Sequence, residues 1–335
     1  MKKHLLTLTA FLLLTFGMAS MACADVVKLT YSNFFPPTHI QSQLAEQWCR
    51  EVEKRTDGKI QIDYFPGGTL TKAKQCYDGV VEGISDMGLS VLAYSRGRFP
   101  VMAAVDLPLG YTLGTQATRV ANAVYNNFQP REFQDVQPMY FHAHGPGVLF
   151  TTPKPVTSLA DLHGMKIRST GNSAKLVKAL GGTPVAQSMP TSYQSLHKGV
   201  VDGSMNPVES TKGWKLAEVV KFGTRSYPVA YTTTFFVVMN KDKWASLDDD
   251  TRKIITEINA EWAIKHGKAW DEADDAGKAF FLEKGGQFVD LDEQEAIKWV
   301  EAAKPVIQEY YDTVSGNDFD SKAVVEFIHA EMQKE

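Results

Sequence analysis

The chain of 335 residues is short of the residues that most enzymatic chemistry requires. It holds three cysteines and no C-x-x-C pair, which argues against zinc ribbons and thioredoxin-type redox sites. No G-x-S-x-G occurs, so a nucleophile elbow is unsupported. Neither G-x-G-x-x-G nor a Walker A loop follows a strand, and Gly145-Pro146-Gly147 lacks the helix that would present phosphate-binding amides. Basic residues form no block, which leaves no electrostatic footprint for nucleic acid. Beyond the N-terminus no apolar run is long enough to span a bilayer.

What the N-terminus does have is Met1-Lys2-Lys3, an apolar run from Leu5 to Met18 and the small-residue exit Ala22-Cys23-Ala24. That is the layout of a secretory signal peptide over residues 1–24, cleaved after Ala24, and it predicts a periplasmic protein. The competing reading is a lipoprotein acylated at Cys23, but Ser20 stands where a lipobox usually has Leu. Loss of two lysines leaves 33 basic against 39 acidic residues, a net charge of −6. Two cysteines remain, Cys49 and Cys76. In an oxidising compartment they are a disulfide candidate, with two buried thiols as the alternative. About 310 residues suffice for two cores.

The pattern is α/β. Val26–Ser32 alternates as a strand, Thr38 is placed to cap a helix from His39 to about Arg55, and Ile60–Phe65 is a second strand. A helix from about Lys72 to Glu82 and a strand Met87–Leu92 follow. The grammar returns at Met165–Arg168 (strand), Asn172–Leu180 (helix), Thr183–Val185 (strand) and a helix capped by Thr191 that reaches Lys198. Tyr77-x5-Gly83-x2-Asp86 has the spacing of Tyr193-x5-Gly199-x2-Asp202, which suggests two lobes of similar construction. Tyr231–Met239 is a strand able to pass between lobes. The last hundred residues are largely helical: about Leu247–Glu283, Glu293–Val314 and Ser321–Gln333, with a strand at Gln287–Leu291. No Pro- or Ser-rich linker divides the chain, so the lobes are expected to join through crossing strands at a hinge. The expected division is 25–146 plus about 237–284 for lobe I, and 147–236 plus about 285–335 for lobe II.

Three groups of polar residues compete for a functional role. His142 and His144 flank Ala143 on one face of a strand end; without a third ligand they read as polar rim residues of a cleft rather than a metal site. Asp271-Glu272 and Asp274-Asp275 read as a solvated helix face. Arg168 ends a strand and is followed by Ser169-Thr170-Gly171-Asn172 entering a helix. Ligands of open α/β sheets gather at the carboxyl ends of strands, and an Arg fork matches a carboxylate with two parallel hydrogen bonds.

The segment Ser158–Arg168, SLADLHGMKIR, resembles the "sl-aDl-G-kiR" box of DctP-like receptors of tripartite ATP-independent periplasmic (TRAP) transporters. Tyr193–Glu209, YQSLHKGVVDGSMNPVE, resembles that family's "vy-aLq-G-vDg-enp" stretch. Gly58–Leu70 and Asp106-Leu107-Pro108 add two weaker matches, in consistent order along nearly the whole mature chain. The resemblance implies a two-lobed periplasmic binding protein that closes by a hinge and hands its ligand to a membrane permease of two subunits, driven by an ion gradient. It implies no enzyme activity and no cofactor. It also implies that Arg168 pairs with a ligand carboxylate and that Asn206 helps hold the ligand.

This chain departs from receptors for polar sugar acids, which tend to carry extra charged or amide groups where it has Val91 and Val148. With Phe34, Phe35, Tyr94, Met189, Trp214 and Phe235 nearby, the expectation is one anion anchor among apolar walls. A monocarboxylate with an apolar or aromatic body, such as an aryl or branched 2-oxo acid, fits that composition. The alternatives are a C4-dicarboxylate receptor, a binding protein of another transporter class, and a periplasmic enzyme of unknown type.

Overall fold

The computed structural model describes residues 26–314 and 319–334; the signal peptide expected over residues 1–24 lies outside them. Two mixed sheets carry the fold. The first is built from β1 (Val27–Asn33), β2 (Ile60–Phe65), β3 (Met87–Val91), β4 (Val136–Ala143) and β10 (Thr234–Asn240), in the order β2-β1-β3-β10-β4. The second is built from β5 (Gly147–Thr151), β6 (Lys166–Ser169), β7 (Thr183–Ala186), β8 (Gly203–Pro207), β9 (Phe222–Arg225) and β11 (Gln287–Asp290), in the order β11-β9-β5-β8-β6-β7. In the first sheet the parallel trio β2-β1-β3 is extended by antiparallel pairings to β10 and β4; in the second the parallel trio β8-β6-β7 is extended by antiparallel pairings to β5 and β9, and β11 pairs parallel to β9 at the edge. β3, β5 and β8 are buried throughout, as strands covered on both faces must be.

Ten α-helices flank the sheets: α1 (Ile40–Arg55), α2 (Cys76–Val81), α3 (Gly114–Phe128), α4 (Gly171–Ala179), α5 (Ser192–His197), α6 (Ser210–Gly213), α7 (Lys241–Ser246), α8 (Asp249–Glu283), α9 (Glu293–Val314) and α10 (Ser321–Met332), counted among the described residues. None is long and apolar enough to cross a membrane. Two helix starts differ from expectation. A turn from Pro36 O to His39 N delays α1 by one residue, so His39 rather than Thr38 is the cap, its Nδ1 accepting from Gln41 N. α2 begins at Cys76 rather than near Lys72, because Thr71 is pinned to β1 through Ser32, hydroxyl to hydroxyl at 2.6 Å.

The two similarly spaced segments occupy equivalent places. Gly83 and Gly199 both adopt positive φ, +73° and +65°, as helix-ending glycines do. Asp86 then accepts from Thr30 N of β1, and Asp202 from Lys166 N of β6, each at 2.8 Å.

The chain crosses between the sheets three times, at residues 144–146, 226–233 and 241–286. The first two crossings touch: Gly147 bridges Tyr231, and Thr232 Oγ1 donates to His144 O at 2.6 Å. The third contains α8, which packs on α1, α3 and β4 of one side and on α6 of the other. The C-terminal segment expected with lobe II divides its contacts. Trp299 and Ala303 of α9 join the core around α4, whereas Val306, Tyr310 and Val314, with Val324, Val325 and Ile328 of α10, pack into the core around α3.

The disulfide candidate is corrected. Cys49 and Cys76 are both free and buried. Cys49 Sγ donates to Ala45 O within α1, while Cys76 Sγ lies 3.6 Å from Leu89 O of β3. The two thiols pack as small apolar groups on different helices, and burial pushes both up, Cys76 to about 12.

Candidate ligand-binding cleft

The carboxyl ends of β1 and β3 in one sheet, and of β6 and β8 in the other, converge on one partly open cavity. Of the residues singled out from sequence, Phe34, Phe35, Val91, Tyr94, Arg168, Met189, Asn206, Trp214 and Phe235 line it. Val148 does not. It sits in β5 directly across from Asn206 and so on the same face of the sheet, but it is fully buried within the apolar cluster that includes Phe34, Phe35 and Phe235 and does not reach the cavity.

Arg168 stands next to last in β6 with 5% of its surface exposed. Its Nε donates to Gln187 O at 3.0 Å and Nη1 to Met205 O at 3.3 Å. Among the described residues no carboxylate forms an ion pair with it. A buried guanidinium braced by carbonyls and lacking a counter-ion is a pre-oriented anion site. Thr170, also on the cavity wall, caps α4 through a reciprocal bond with Ser173, so the positive end of that helix faces the same space. Asn206 accepts from Ser204 Oγ and donates Nδ2 to Ser210 Oγ. Both hydroxyls hold the amide plane, and its second N–H stays available.

Aromatic rings form the wall. Phe34 stacks on Phe35 (4.3 Å between centroids) and lies parallel to Phe235 at 6.3 Å. It reaches Tyr94 on one side and Trp214 on the other. Trp270, from α8, stacks on Phe235 at 5.2 Å. No sequence spacing marked Trp270, Tyr231, Thr233, Met205, Pro207 or Glu209 as cavity residues; they meet there only through tertiary packing.

The two histidines part company. His144 lines the cavity with Nδ1 2.6 Å from Gly145 O. Burial, aided by the charge of Arg168 and opposed by that hydrogen bond, pushes it down to about 4. It is therefore neutral, with the proton on Nδ1 and Nε2 an acceptor. His142 is not a rim residue. It is fully buried behind Phe235, stacked at 4.8 Å, and accepts from Trp270 Nε1. Among the described residues no three His, Cys, Asp or Glu side chains cluster as a metal site would need.

The acidic run on α8 is likewise more than a solvated face. Asp271 accepts from Gly114 N and Thr115 N at the start of α3, and Asp274 accepts from Glu209 N at 2.7 Å. Burial pushes the Asp274 carboxyl well up, opposed chiefly by that Glu209 bond. Three contacts bridge the cleft from one sheet's side to the other: His39 Nε2 to Glu209 Oε2 at 3.1 Å, Met189 N to Tyr94 Oη at 2.9 Å, and Asn172 Nδ2 to Ala103 O at 2.7 Å.

The chain is similar along most of its length to solute receptors. A TRAP periplasmic solute-binding protein from Bordetella bronchiseptica, solved with bound (R)- and (S)-mandelate, is 30% identical and superposes with a TM-score of 0.86, covering 91% of this chain and 98% of that one. One from Rhodoferax ferrireducens, solved with copurified benzoate, is 27% identical with a TM-score of 0.86, covering 92% and 98%. The C4-dicarboxylate-binding periplasmic protein DctP of Rhodobacter capsulatus is 25% identical over 88% of this chain and 90% of its own length. Residues 31–313 match the bacterial extracellular solute-binding proteins of family 7, the DctP family. With two sheets framing a cavity at their strand ends, the chain belongs to that family, whose members are periplasmic receptors for small organic acids that serve TRAP permeases and are not enzymes.

Proposed function

We propose that this receptor binds a monocarboxylate with an apolar or aromatic body, Arg168 taking the carboxylate and Asn206 adding a directed hydrogen bond. The observation that carries the reading is the buried, unpaired guanidinium of Arg168 at one end of a cavity walled by Phe34, Phe35, Trp214, Phe235 and Trp270. The ligand's ring or chain is buried among those rings, and its carboxylate replaces water on the guanidinium. Exclusion of water lowers the local dielectric and strengthens the ion pair. Because the lining comes from both sheets, the ligand binds the closed cleft better than the open one, which biases the receptor toward the form offered to the permease. The benzoate and mandelate complexes of similar proteins support an aromatic body. A C4-dicarboxylate fits less well, since among the described residues Arg168 is the one arginine lining the cavity.

Native mass spectrometry of the mature protein, with any copurified ligand released and identified, tests the reading. A bound monocarboxylic acid lost in Arg168→Ala supports it. A dicarboxylate, or a ligand retained by Arg168→Ala, overturns it.

A further inference from the structure

A second polar pole of the cavity lies at Glu209. Its side chain lines the cavity and the residue is only 3% exposed. Oε2 is held by His39, itself 2% exposed. The histidine tautomer follows from its other nitrogen: Nδ1 accepts from Gln41 N, so the proton is on Nε2 and is donated to Glu209. Among the described residues no donor reaches Oε1 of Glu209. Oε1 opens onto the cavity, where water or a ligand group supplies the donor a carboxylate oxygen needs.

The pole is distinct from the anion anchor. No ion pair joins Glu209 to Arg168, although both line the same space. Arg168 lies near Tyr94, Tyr231 and His144, whose titrations feel its charge. Glu209 lies on the side of His39, which is ringed by Phe35 at 4.4 Å, Trp214 at 5.7 Å and Trp270 at 6.0 Å. Phe34, in contact with both Tyr94 and Trp214, spans the interval.

Resting on the carboxylate reading above, we infer that Glu209 and His39 form a specificity site that selects ligands bearing a hydrogen-bond donor, a hydroxyl or an ammonium, at the end away from the carboxylate. Free Oε1 accepts that donor. A second carboxylate at the same place would meet the negative charge of Glu209 and be rejected. An ammonium there would also face the aromatic rings around His39, a favourable cation–π setting.

Calorimetric titration of the wild-type receptor and Glu209→Gln with matched acids tests this. The aromatic set is benzoate, 3- and 4-hydroxybenzoate and 3- and 4-(aminomethyl)benzoate; the aliphatic set is hexanoate, 6-hydroxyhexanoate and 6-aminohexanoate. In wild type a donor-bearing acid is expected to bind about tenfold or more tightly than its parent, the scale of a hydrogen bond to a charged group. In Glu209→Gln the amide oxygen stays on His39 Nε2 and the amide N–H turns to the cavity, so the preference vanishes or reverses. The better of the hydroxyl and ammonium arms identifies the donor.

Parents that bind wild type as well as their donor derivatives overturn the inference while leaving the carboxylate reading intact. So does a preference that survives unchanged in Glu209→Gln. A donor preference confined to the aliphatic set retains the inference and overturns the aromatic body. Tightest binding of a dicarboxylate overturns both.

Discussion

His39 and Glu209, 170 residues apart, meet at 3.1 Å with both side chains buried. One caps α1 beside the first sheet; the other follows β8 of the second. Their hydrogen bond is a latch across the cleft, in the same class as the Tyr94–Met189 and Asn172–Ala103 contacts. The faces that bind ligand are thus the faces that hold the two sheets' sides together, and this coupling sets what substitutions there will do.

Arg168→Ala is expected to weaken carboxylate binding by about 100-fold or more, because it removes both the charge and the planar fork. Arg168→Lys is expected to recover little, since an ammonium cannot make two parallel bonds to one carboxylate. Titration calorimetry reads the loss, and an unchanged far-ultraviolet circular dichroism spectrum confirms that the fold survives. Wild-type affinity in Arg168→Ala would remove Arg168 from the site.

Tyr94→Phe deletes the acceptor of Met189 N while keeping the ring that meets Phe34. One hydrogen bond of about 1 kcal/mol corresponds to roughly fivefold weaker ligand binding, expressed mainly as faster release. Stopped-flow measurement of the dissociation rate checks it. An unchanged rate would mean that this latch does not hold the closed cleft.

Burial pushes His266 down to about 3, from an ordinary value near 6.5. The unfolded chain therefore binds a proton below pH 6.5 that the folded chain refuses. The stability linked to His266 is complete above that pH and is lost as pH falls toward 3. Asp106 and Glu132 act in the opposite sense, each pushed up to about 7 by burial. The wild-type profile sums these effects, so the difference between wild type and His266→Gln isolates one. Urea unfolding at pH 7.5 and pH 5 should show the wild type losing about 2 kcal/mol more than the variant; equal losses would place the histidine proton elsewhere.

Cys49 and Cys76 should resist a thiol reagent in the native protein and both react after denaturation without reductant. Buried thiols with raised pKa carry little thiolate at neutral pH. Absence of both thiols after denaturation would mean that they pair.

Much of the architecture was legible in the sequence because periodicity is a local property. Ile60–Phe65 and Thr183–Pro184-Val185 alternate or carry β-branched residues between turn signals, and they are strands. Asp248 ahead of the long Ala- and Glu-rich stretch predicts a helix start, and its carboxylate does accept from Thr251 N at 2.8 Å. The errors are those of local reading. Thr38 lost the cap to His39 because a turn from Pro36 shifts the register by one. Val148 was placed in the cleft by alignment with a family pattern; it shares a sheet face with Asn206 but lies covered by apolar neighbours, short of the cavity.

Two α/β units with strand-end arginine and asparagine boxes could be read from contiguous residues alone, since each box is contiguous and each element is set by its own residues. What surrounds Arg168 follows from tertiary packing. Trp270 arrives from α8, Glu209 is held by its own bonds, its backbone N–H donating to Asp274 and its carboxylate accepting from His39, and His144 is neutralised by burial beside the guanidinium. These features depend on contacts between residues 65, 128 and 170 positions apart. No period or spacing encodes such encounters, because they follow from how the two sheets and α8 pack.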